Sequence, residues 1–325
     1  MTPLISICIP TYNGQEYLKQ CLDSCFNQSF TNYEIIICDD GSTDNTITII
    51  EEYTKLHSQI TFYKNEINLG LVGNWNKCIE QSRGEWIKFV FQDDYITNDC
   101  LQMFANEIKD DVYLIVSKRY FILPENPTAD YINYYTNQVR TLENTVNTVK
   151  NSFSGKEISQ IAVQNICMNF IAEPSLTCFR KSIVYELGYF NDALKQICDL
   201  EFNLRVASSK GLVYIPQQIC AFRIHHNSTT SKNLSEKGFV LSYIEPLLFS
   251  YFLLFDKKFQ SLRNYLNPFQ TLKLNLYFKF KAYKAFKIDQ AESYNHEVFG
   301  ASSSYNEILK VRKGNLLIRL LAFFK

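Results

Sequence analysis

The first hundred residues alternate between short apolar segments and stretches with apolar residues at helical spacing, and this alternation constrains the fold most. The apolar segments predict strands over residues 4–9, 33–38, 60–64 and 86–91. The stretches between them predict helices over residues 16–27, 46–55 and 70–82. The fourth segment is dominated by apolar residues rather than alternating, which is typical of a buried strand in a parallel sheet. This rhythm predicts an α/β fold with right-handed crossovers.

A polar cluster follows each of the predicted strands. In chain order the clusters are Pro10-Thr11-Tyr12-Asn13, Asp39-Asp40-Gly41-Ser42, Asn68-Leu69-Gly70 and Gln92-Asp93-Asp94. Because ligands of open α/β sheets bind outside the carboxyl ends of the strands, the clusters predict a nucleotide-sized site. No Gly-x-Gly-x-x-Gly follows the first strand and the chain has no Gly-x-x-x-x-Gly-Lys, which weakens dinucleotide-binding and P-loop interpretations.

The cluster Gln92-Asp93-Asp94 carries the strongest chemical signal. Two carboxylates held close together are costly without a cation. Oxygen ligands next to a phosphate suit Mg²⁺ or Mn²⁺. The alternative is that both aspartates only cap a helix that begins near Asn98, since Asp is favoured at helix starts. The tripeptide alone leaves both interpretations open.

Charge is distributed unevenly along the chain, although its formal net charge is zero. Residues 256–325 contain about 13 Lys/Arg and about 5 Asp/Glu, roughly +8, which leaves roughly −8 for the rest. A basic tail rich in aromatics suits nucleic acid or an anionic membrane surface. The hydrophobic content of 46% excludes global disorder, and 325 residues suggest one large domain with an extension.

The ten cysteines are scattered and form no Cys-x-x-Cys pair, which argues against structural zinc. Together with the lack of a signal peptide, this usage predicts a reducing, cytoplasmic location. The longest apolar stretch, residues 243–255, contains Glu245 and Pro246. We expect it to be too short and too interrupted to span a bilayer.

Taken together, the motifs resemble those of family 2 glycosyltransferases with the GT-A fold. The matching segments are residues 6–14, 37–46, 68–70, 91–94, 173–180, 187–192, 198–205 and 222–225. The resemblance implies a Rossmann-like, mostly parallel sheet flanked by helices. We therefore expect a GT-A catalytic domain over residues 1–231, followed by a helical basic-aromatic extension over residues 232–325. Within the domain, residues 1–95 would be the nucleotide-binding half and residues 96–231 the acceptor and catalytic half.

The resemblance implies a donor site at the predicted sheet edge. The residues at positions that hold the base and ribose in the family, or lie beside them, are Pro10, Thr11, Tyr12, Glu16, Asp40 and Asn68. Tyr12 can stack on a base, and a carboxylate can accept a base N–H. A simple turn residue is the alternative for Asp40, because Asp favours turns.

Gln92-Asp93-Asp94 takes the place of the Asp-x-Asp metal motif of the family, with Gln at the first position. A glutamine can still form a hydrogen bond to a ribose. The register implies that Asp94 is the metal ligand and that Asp93 contacts the donor sugar. The expected cofactor is Mg²⁺ or Mn²⁺.

Asp199 falls at the position of the catalytic base in the family. The family usually has Glu-Asp there, whereas this chain has Cys198-Asp199. Glu201 is the second candidate, and the alternative for Asp199 is a helix N-cap. Arg223 and His225 match positions that imply a pyrophosphate contact and a metal or phosphate contact. The alternative for His225 is a polar loop histidine.

The implied reaction is inverting transfer of a sugar from a nucleotide-diphosphate sugar, with a UDP-sugar as the first expectation. The implied acceptor is a hydroxyl of a glycan or a lipid-linked saccharide, in cell-surface polysaccharide synthesis. A sugar nucleotidyltransferase would need a Gly-rich loop with Arg or Lys after the first strand, which residues 10–14 lack. A non-catalytic nucleotide-sugar or glycan-binding module would be expected to lose Asp94 or Asp199, and both are present. No nucleic-acid-binding motif is recognisable.

The C-terminal part predicts helices over residues 234–255 and 268–290, the second with lysines among aromatics. The last segment, residues 309–325, is basic, apolar and amphipathic. It suits an interfacial helix on anionic lipid, which would place the protein peripherally on the inner face of the membrane. A helical lid packed on the catalytic domain is the alternative.

Overall fold

The computed structural model describes residues 2–146, 150–225, 228 and 244–292. Within these residues, nine strands form one sheet in the order β3-β2-β1-β4-β8-β6-β9-β5, with β7 paired to β9. The strands are β1 (Ile5–Thr11), β2 (Tyr33–Asp39), β3 (Ile60–Lys64), β4 (Trp86–Phe89), β5 (Tyr95–Ile96), β6 (Leu114–Ile122), β7 (Ser152–Phe153), β8 (Thr177–Arg180) and β9 (Leu212–Arg223).

Helices connect and flank these strands. They are α1 (Leu18–Phe26), α2 (Thr46–Leu56), α3 (Gly70–Gln81), α4 (Cys100–Asn106), α5 (Ala129–Asn133), α6 (Leu142–Thr145), α7 (Gly155–Gln164), α8 (Ile183–Leu187), α9 (Cys198–Lys210), α10 (Glu245–Phe255), α11 (Gln260–Asn264) and α12 (Pro268–Glu292). A π-helical turn spans Tyr134–Gln138, and 3₁₀ turns span Pro174–Leu176 and Lys257–Phe259.

The predicted α/β fold is confirmed, and the four predicted strands form its parallel half. Strand β1 pairs in parallel with β2 and β4, and β2 pairs in parallel with β3. The second half is mixed: β8 runs antiparallel to both β4 and β6, whereas β6 and β9 are parallel. The sheet as a whole is therefore mixed rather than mostly parallel.

Strand β1 continues past Pro10, where the sequence predicted its end. The carbonyl of Cys8 accepts a hydrogen bond from the Val90 amide on the β4 side. Alternate residues of a strand bond to the same neighbour, so Pro10 also faces β4. Pairing with β4 ends at Cys8 opposite Phe89, so the N–H that proline lacks falls where no ladder bond is needed.

Helix α9 is buried on almost all sides and contains an internal ion pair. The Arg205 guanidinium donates to both carboxylate oxygens of Glu201 at 2.9 and 2.8 Å. It also donates to the carbonyls of Leu187, Gly188 and Tyr189. The pair therefore ties α9 to the segment after α8, and each partner satisfies the buried charge of the other.

The described part of the predicted extension shares the core of the sheet domain. Leu247 and Leu253 of α10 and Leu274 of α12 belong to the same buried apolar cluster as the central strands. The second predicted helix is confirmed as α12, and the first is seen from residue 245 onward. Residues 234–243 and 309–325 lie outside the described part. Among the helices described, none combines the length and the apolar character needed to cross a bilayer.

We predict that Glu201→Ala destabilises the protein by about 3–5 kcal/mol, because it leaves the Arg205 charge buried and unpaired. The matched control is Glu186→Ala on α8, which removes a half-exposed ion pair to Lys210 of α9. That control should cost at most about 1 kcal/mol. Urea unfolding of both variants measures the difference, and equal losses would contradict the role of the buried pair.

Candidate active site

The loop after β1 is held by the side chain of Gln92. The Gln92 amide accepts a hydrogen bond from the Tyr12 N–H at 2.9 Å and donates to the Tyr12 carbonyl at 3.0 Å. Gly14 permits this approach, since a Cβ atom there would lie 2.1 Å from Gln92 Oε1. Asn13 adopts a left-handed conformation with φ of 47°. The result is a fixed loop from which the Tyr12 side chain projects half exposed.

Asp40 ties the loops after β2 and β3 together. Its buried carboxylate accepts hydrogen bonds from the N–H groups of Leu69 and Gly70 at 2.7 and 2.8 Å, and from the Asn65 amide at 2.9 Å. The Asn68 amide donates to the Asp40 carbonyl at 2.8 Å. Both predicted donor residues, Asp40 and Asn68, therefore lie at the sheet edge and contact each other.

Pro10 and Thr11 are buried at the end of β1, and Glu16 is exposed just before α1. Thr11 Oγ1 donates to Asp39 at 2.9 Å, so it connects the first two strand ends. The structure thus places all six predicted base and ribose residues on adjoining strand ends or on the loops that follow them.

Asp93, Arg223 and His225 come together where β9 ends. The Asp93 carboxylate lies 3.0 Å from His225 Nε2, and the Asp93 carbonyl accepts a hydrogen bond from Arg223 Nε at 2.9 Å. The Arg223 guanidinium also donates to Gln20 Oε1 at 2.6 Å and lies 4.5 Å from the centre of the Tyr17 ring. Helix α1 thereby holds the arginine in a fixed orientation.

Asp94 lies behind this group and is only 2% exposed. Its carboxylate accepts hydrogen bonds from the Ser175 hydroxyl and from the backbone N–H of Arg223, the latter at 3.0 Å. Burial, followed by the charge of Asp93, raises the pKa of Asp94 well above its usual range. The two adjacent carboxylates therefore repel each other in a largely dry setting.

Asp199 lies at the start of α9 in a second polar cluster. Its carboxylate accepts hydrogen bonds from the Asn169 amide at 2.9 Å and from the Leu200 N–H at 2.7 Å. Burial, and then the neighbouring charge of Glu173, raise the pKa of Asp199 to about 7. Glu173 is itself paired with the buried Arg119 at 2.7 Å. An acid with a pKa of this size is suited to exchange protons near neutral pH.

The 3₁₀ turn Pro174–Leu176 joins the two clusters. Glu173, directly before the turn, raises the pKa of Asp199, and Ser175, inside it, donates to Asp94. The sequence assigned no role to Asn169, Glu173 or Ser175. A signal was present, because Glu173 and Ser175 belong to one of the motif segments.

Glu201, the second candidate for the base, is buried and fully engaged with Arg205. Both of its carboxylate oxygens accept hydrogen bonds from that guanidinium, which holds the negative charge in place. A proton acceptor must reach the substrate, whereas this carboxylate is only 1% exposed. Of the two carboxylates, Asp199 is the less buried.

Comparison with known proteins identifies a family. The family model described as glycosyl transferase family 2 matches residues 6–167. A chondroitin synthase of Escherichia coli is 27% identical over 231 residues, which make up 70% of this chain and 30% of that protein. The chain thus spans less than a third of that relative.

Two solved structures have the same fold. S. aureus TarS 1-349 in complex with UDP-GlcNAc matches with a TM-score of 0.57 and 20% identity, over 84% of this chain and 73% of that chain. The mannosyltransferase PcManGT from Pyrobaculum calidifontis, in complex with GDP-Man and Mn²⁺, matches with a TM-score of 0.56 and 13% identity, over 100% of this chain and 88% of that chain. Residues 6–167 belong to glycosyltransferase family 2, and the chain has the GT-A fold.

Proposed function

We propose that the protein is an inverting glycosyltransferase that moves a sugar from a nucleotide-diphosphate sugar to a hydroxyl of a glycan or a lipid-linked acceptor. The observation that carries the proposal is that one 3₁₀ turn, Pro174–Leu176, connects Asp199 to the Asp93-Asp94 group. Asp199 has a pKa of about 7. A polymer-forming relative, the chondroitin synthase, supports a role in cell-surface polysaccharide synthesis.

The donor nucleotide would lie on the loops after β1, β2 and β3. The half-exposed ring of Tyr12 offers a stacking surface for a base. Pro10, Thr11 and Asp40 shape the floor, while Glu16 and Asn68 are exposed at its rim. UDP is the first candidate, because a structural neighbour was solved with UDP-GlcNAc, and GDP is the second, because another was solved with GDP-Man.

The side chains of Asp93, Asp94 and His225, which lie beside Arg223, form a donor set that fits a divalent cation. Carboxylate and imidazole groups suit Mn²⁺, and carboxylates with phosphate oxygens suit Mg²⁺. Among the described residues, no group of three or more His, Cys, Asp or Glu side chains is placed to hold a metal ion by itself. We therefore propose that the donor diphosphate completes the coordination. The cation would supply positive charge to offset the charge on the leaving diphosphate.

Within this donor set, the geometry supports a different assignment from the one implied by sequence register. Asp93 faces His225 at 3.0 Å, whereas both oxygens of the buried Asp94 already accept hydrogen bonds from Ser175 and Arg223. We propose that Asp93 and His225 hold the cation. Asp94 would then fix the end of β9, including Arg223, rather than act as the principal ligand.

Asp199 would act as the general base. It accepts the proton of the acceptor hydroxyl while that oxygen attacks the anomeric carbon. The bond from this carbon to the diphosphate oxygen breaks, and its electron pair leaves with the nucleoside diphosphate. One carboxylate is sufficient, because no covalent sugar-enzyme intermediate forms and the configuration inverts. Arg223 is placed to stabilise the departing phosphates.

We predict that turnover falls as the pH decreases through about 7, because Asp199 must be deprotonated to accept a proton. Glu173→Gln removes a negative charge that raises this pKa, so the fall should move to lower pH. Glu157→Gln, at the exposed start of α7, is the control and should leave the profile in place. The pH profiles of both variants are measured as kcat/KM for hydrolysis of the sugar donor against pH. A profile that Glu173→Gln does not move would contradict the assignment of the base.

We predict that UDP-GlcNAc or GDP-Man raises the melting temperature more with Mn²⁺ or Mg²⁺ than with EDTA, because ligand binding stabilises the folded state. Asp93→Asn should lose the cation-dependent part of the shift and lower turnover by about 10²-fold, the scale of a lost electrostatic stabiliser. The exposed Asp110→Asn serves as the control.

Three outcomes would overturn parts of the proposal. Full donor turnover in EDTA would exclude the cation. A cation-dependent shift lost in Asp94→Asn but kept in Asp93→Asn would restore the assignment from sequence register. A sugar product with the anomeric configuration of the donor, determined by NMR, would exclude inversion.

Helix α12 offers a surface for peripheral attachment to an anionic membrane. Phe269, Leu272, Leu276 and Phe280 recur at helical spacing and are all exposed, whereas Leu274 and Phe278 on the other side are buried. Between residues 257 and 284 the sequence has no Asp or Glu but contains Lys257, Lys258, Arg263, Lys273, Lys279, Lys281 and Lys284. Apolar side chains flanked by lysines suit the boundary of an anionic bilayer.

We predict that the protein sediments with anionic vesicles at low salt and less at high salt, because the electrostatic part is screened. Leu276→Glu should weaken this binding, since it places a negative charge in the exposed stripe. Leu56→Glu introduces the same change at a more exposed leucine at the end of α2 and should have no effect. Absence of vesicle binding by the full chain, or equal effects of both variants, would reject the surface.

A further inference from the structure

Glu245 is the first residue of α10, and its carboxylate contacts the backbone directly before α9. Its Oε1 accepts hydrogen bonds from the N–H groups of Lys195 and Gln196 at 2.6 and 3.1 Å. Its Oε2 accepts from Gln196 and Ile197 at 3.0 and 3.1 Å. Glu245 is 1% exposed. One carboxylate thus satisfies three consecutive backbone donors that are about fifty residues away along the chain.

These donors belong to the segment that sets the position of Asp199. Ile197 is the N-cap residue of α9, and Asp199 lies in the first turn. The side chain of Ile197 cannot cap the helix, and this N-cap position has no side-chain hydrogen bond. Glu245 adds a negative group beside this end of the helix, where it interacts favourably with the positive end of the α9 dipole.

Glu245 is itself held rigidly. It lies in the first turn of α10 with Pro246 next to it, and Leu247 and Leu248 are buried in the common core. Its charge therefore faces the amino ends of α9 and α10 at once. Burial raises the pKa of Glu245, and the three backbone donors oppose that rise.

We propose that Glu245 is a positioning residue for glycosyl transfer: it fixes the backbone before α9 and thereby places Asp199 against the acceptor hydroxyl. The proposal rests on the proposed function, in which Asp199 is the base. It assigns a role to a residue that lies outside the family-matched segment, residues 6–167. The C-terminal extension would then supply part of the catalytic geometry.

Glu245→Gln tests the proposal with little change in volume. The amide keeps one acceptor oxygen but turns an N–H₂ group toward backbone donors. We expect kcat for donor hydrolysis and transfer to fall about tenfold to hundredfold, the scale of a slightly misplaced catalytic group. The donor KM should stay within about twofold, because the donor site is built from other strand ends.

Leu253→Ala is the matched control on the same helix. Leu253 is completely buried, so its truncation destabilises α10 while the Glu245 side chain itself stays unchanged. Assayed well below its melting temperature, Leu253→Ala should retain the wild-type kcat. Equal losses of kcat in both variants would show that Glu245 acts only through stability and would overturn the proposal.

The double variant Asp199→Asn with Glu245→Gln separates this inference from the proposed function. If Glu245 acts through Asp199, adding Glu245→Gln to Asp199→Asn should lower kcat no further. Wild-type turnover of Asp199→Asn alone would overturn the proposed base, whatever Glu245 does. A dead Asp199→Asn together with a fully active Glu245→Gln would overturn only the positioning role.

Glu245→Asp covers the case in which the glutamine variant does not fold. It keeps both carboxylate oxygens but withdraws them by one methylene from the backbone donors. The proposal expects a lower kcat with an unchanged donor KM and a melting temperature that permits the assay. An unchanged kcat in Glu245→Asp, with crystallographic evidence that residues 195–197 have moved, would contradict it.

Discussion

The repulsion between two adjacent carboxylates after a buried strand determines how the rest of the site is built. Asp93 and Asp94 lie next to each other, and Asp94 is almost completely buried. The protein opposes the cost with the Ser175 hydroxyl, the Arg223 backbone N–H and the imidazole of His225. Each of these groups comes from a distant part of the chain. The folding of the second half of the sheet is thus coupled to the charge at the end of the first half.

The first half of the fold could be predicted from the sequence because its contacts are local and repetitive. Apolar strands alternate with amphipathic helices, and the edge positions follow from the parallel rule. The antiparallel insertion of β8 between β4 and β6 could not be predicted in this way, since it depends on pairing between residues about ninety positions apart. The continuation of β1 through Pro10 depends likewise on where its partner ends.

The same limit applies to the site. Strand ends predicted which side chains gather, but not which atoms they bind. Asp40 and Gln92 were expected to contact the nucleotide, and both already bind the backbone of neighbouring loops. Such contacts do not exclude a role in binding, because a carboxylate or an amide retains further acceptor sites. They do mean that loop geometry and donor recognition would rest on the same side chains.

Glu245 shows most clearly why periodicity could not identify every site residue. In the sequence it interrupts an apolar stretch and counts only against a membrane span. In the structure the same carboxylate binds the three backbone N–H groups directly before α9, the helix on which Asp199 lies. A buried carboxylate is stable only where several hydrogen-bond donors surround it. These donors come from a distant part of the chain, so they depend on the tertiary fold and not on local periodicity. The buried face of the extension is thereby bound to the site, whereas the outer face of α12 remains exposed and basic. One segment therefore combines a buried contact to the backbone before α9 with an exposed, basic outer face.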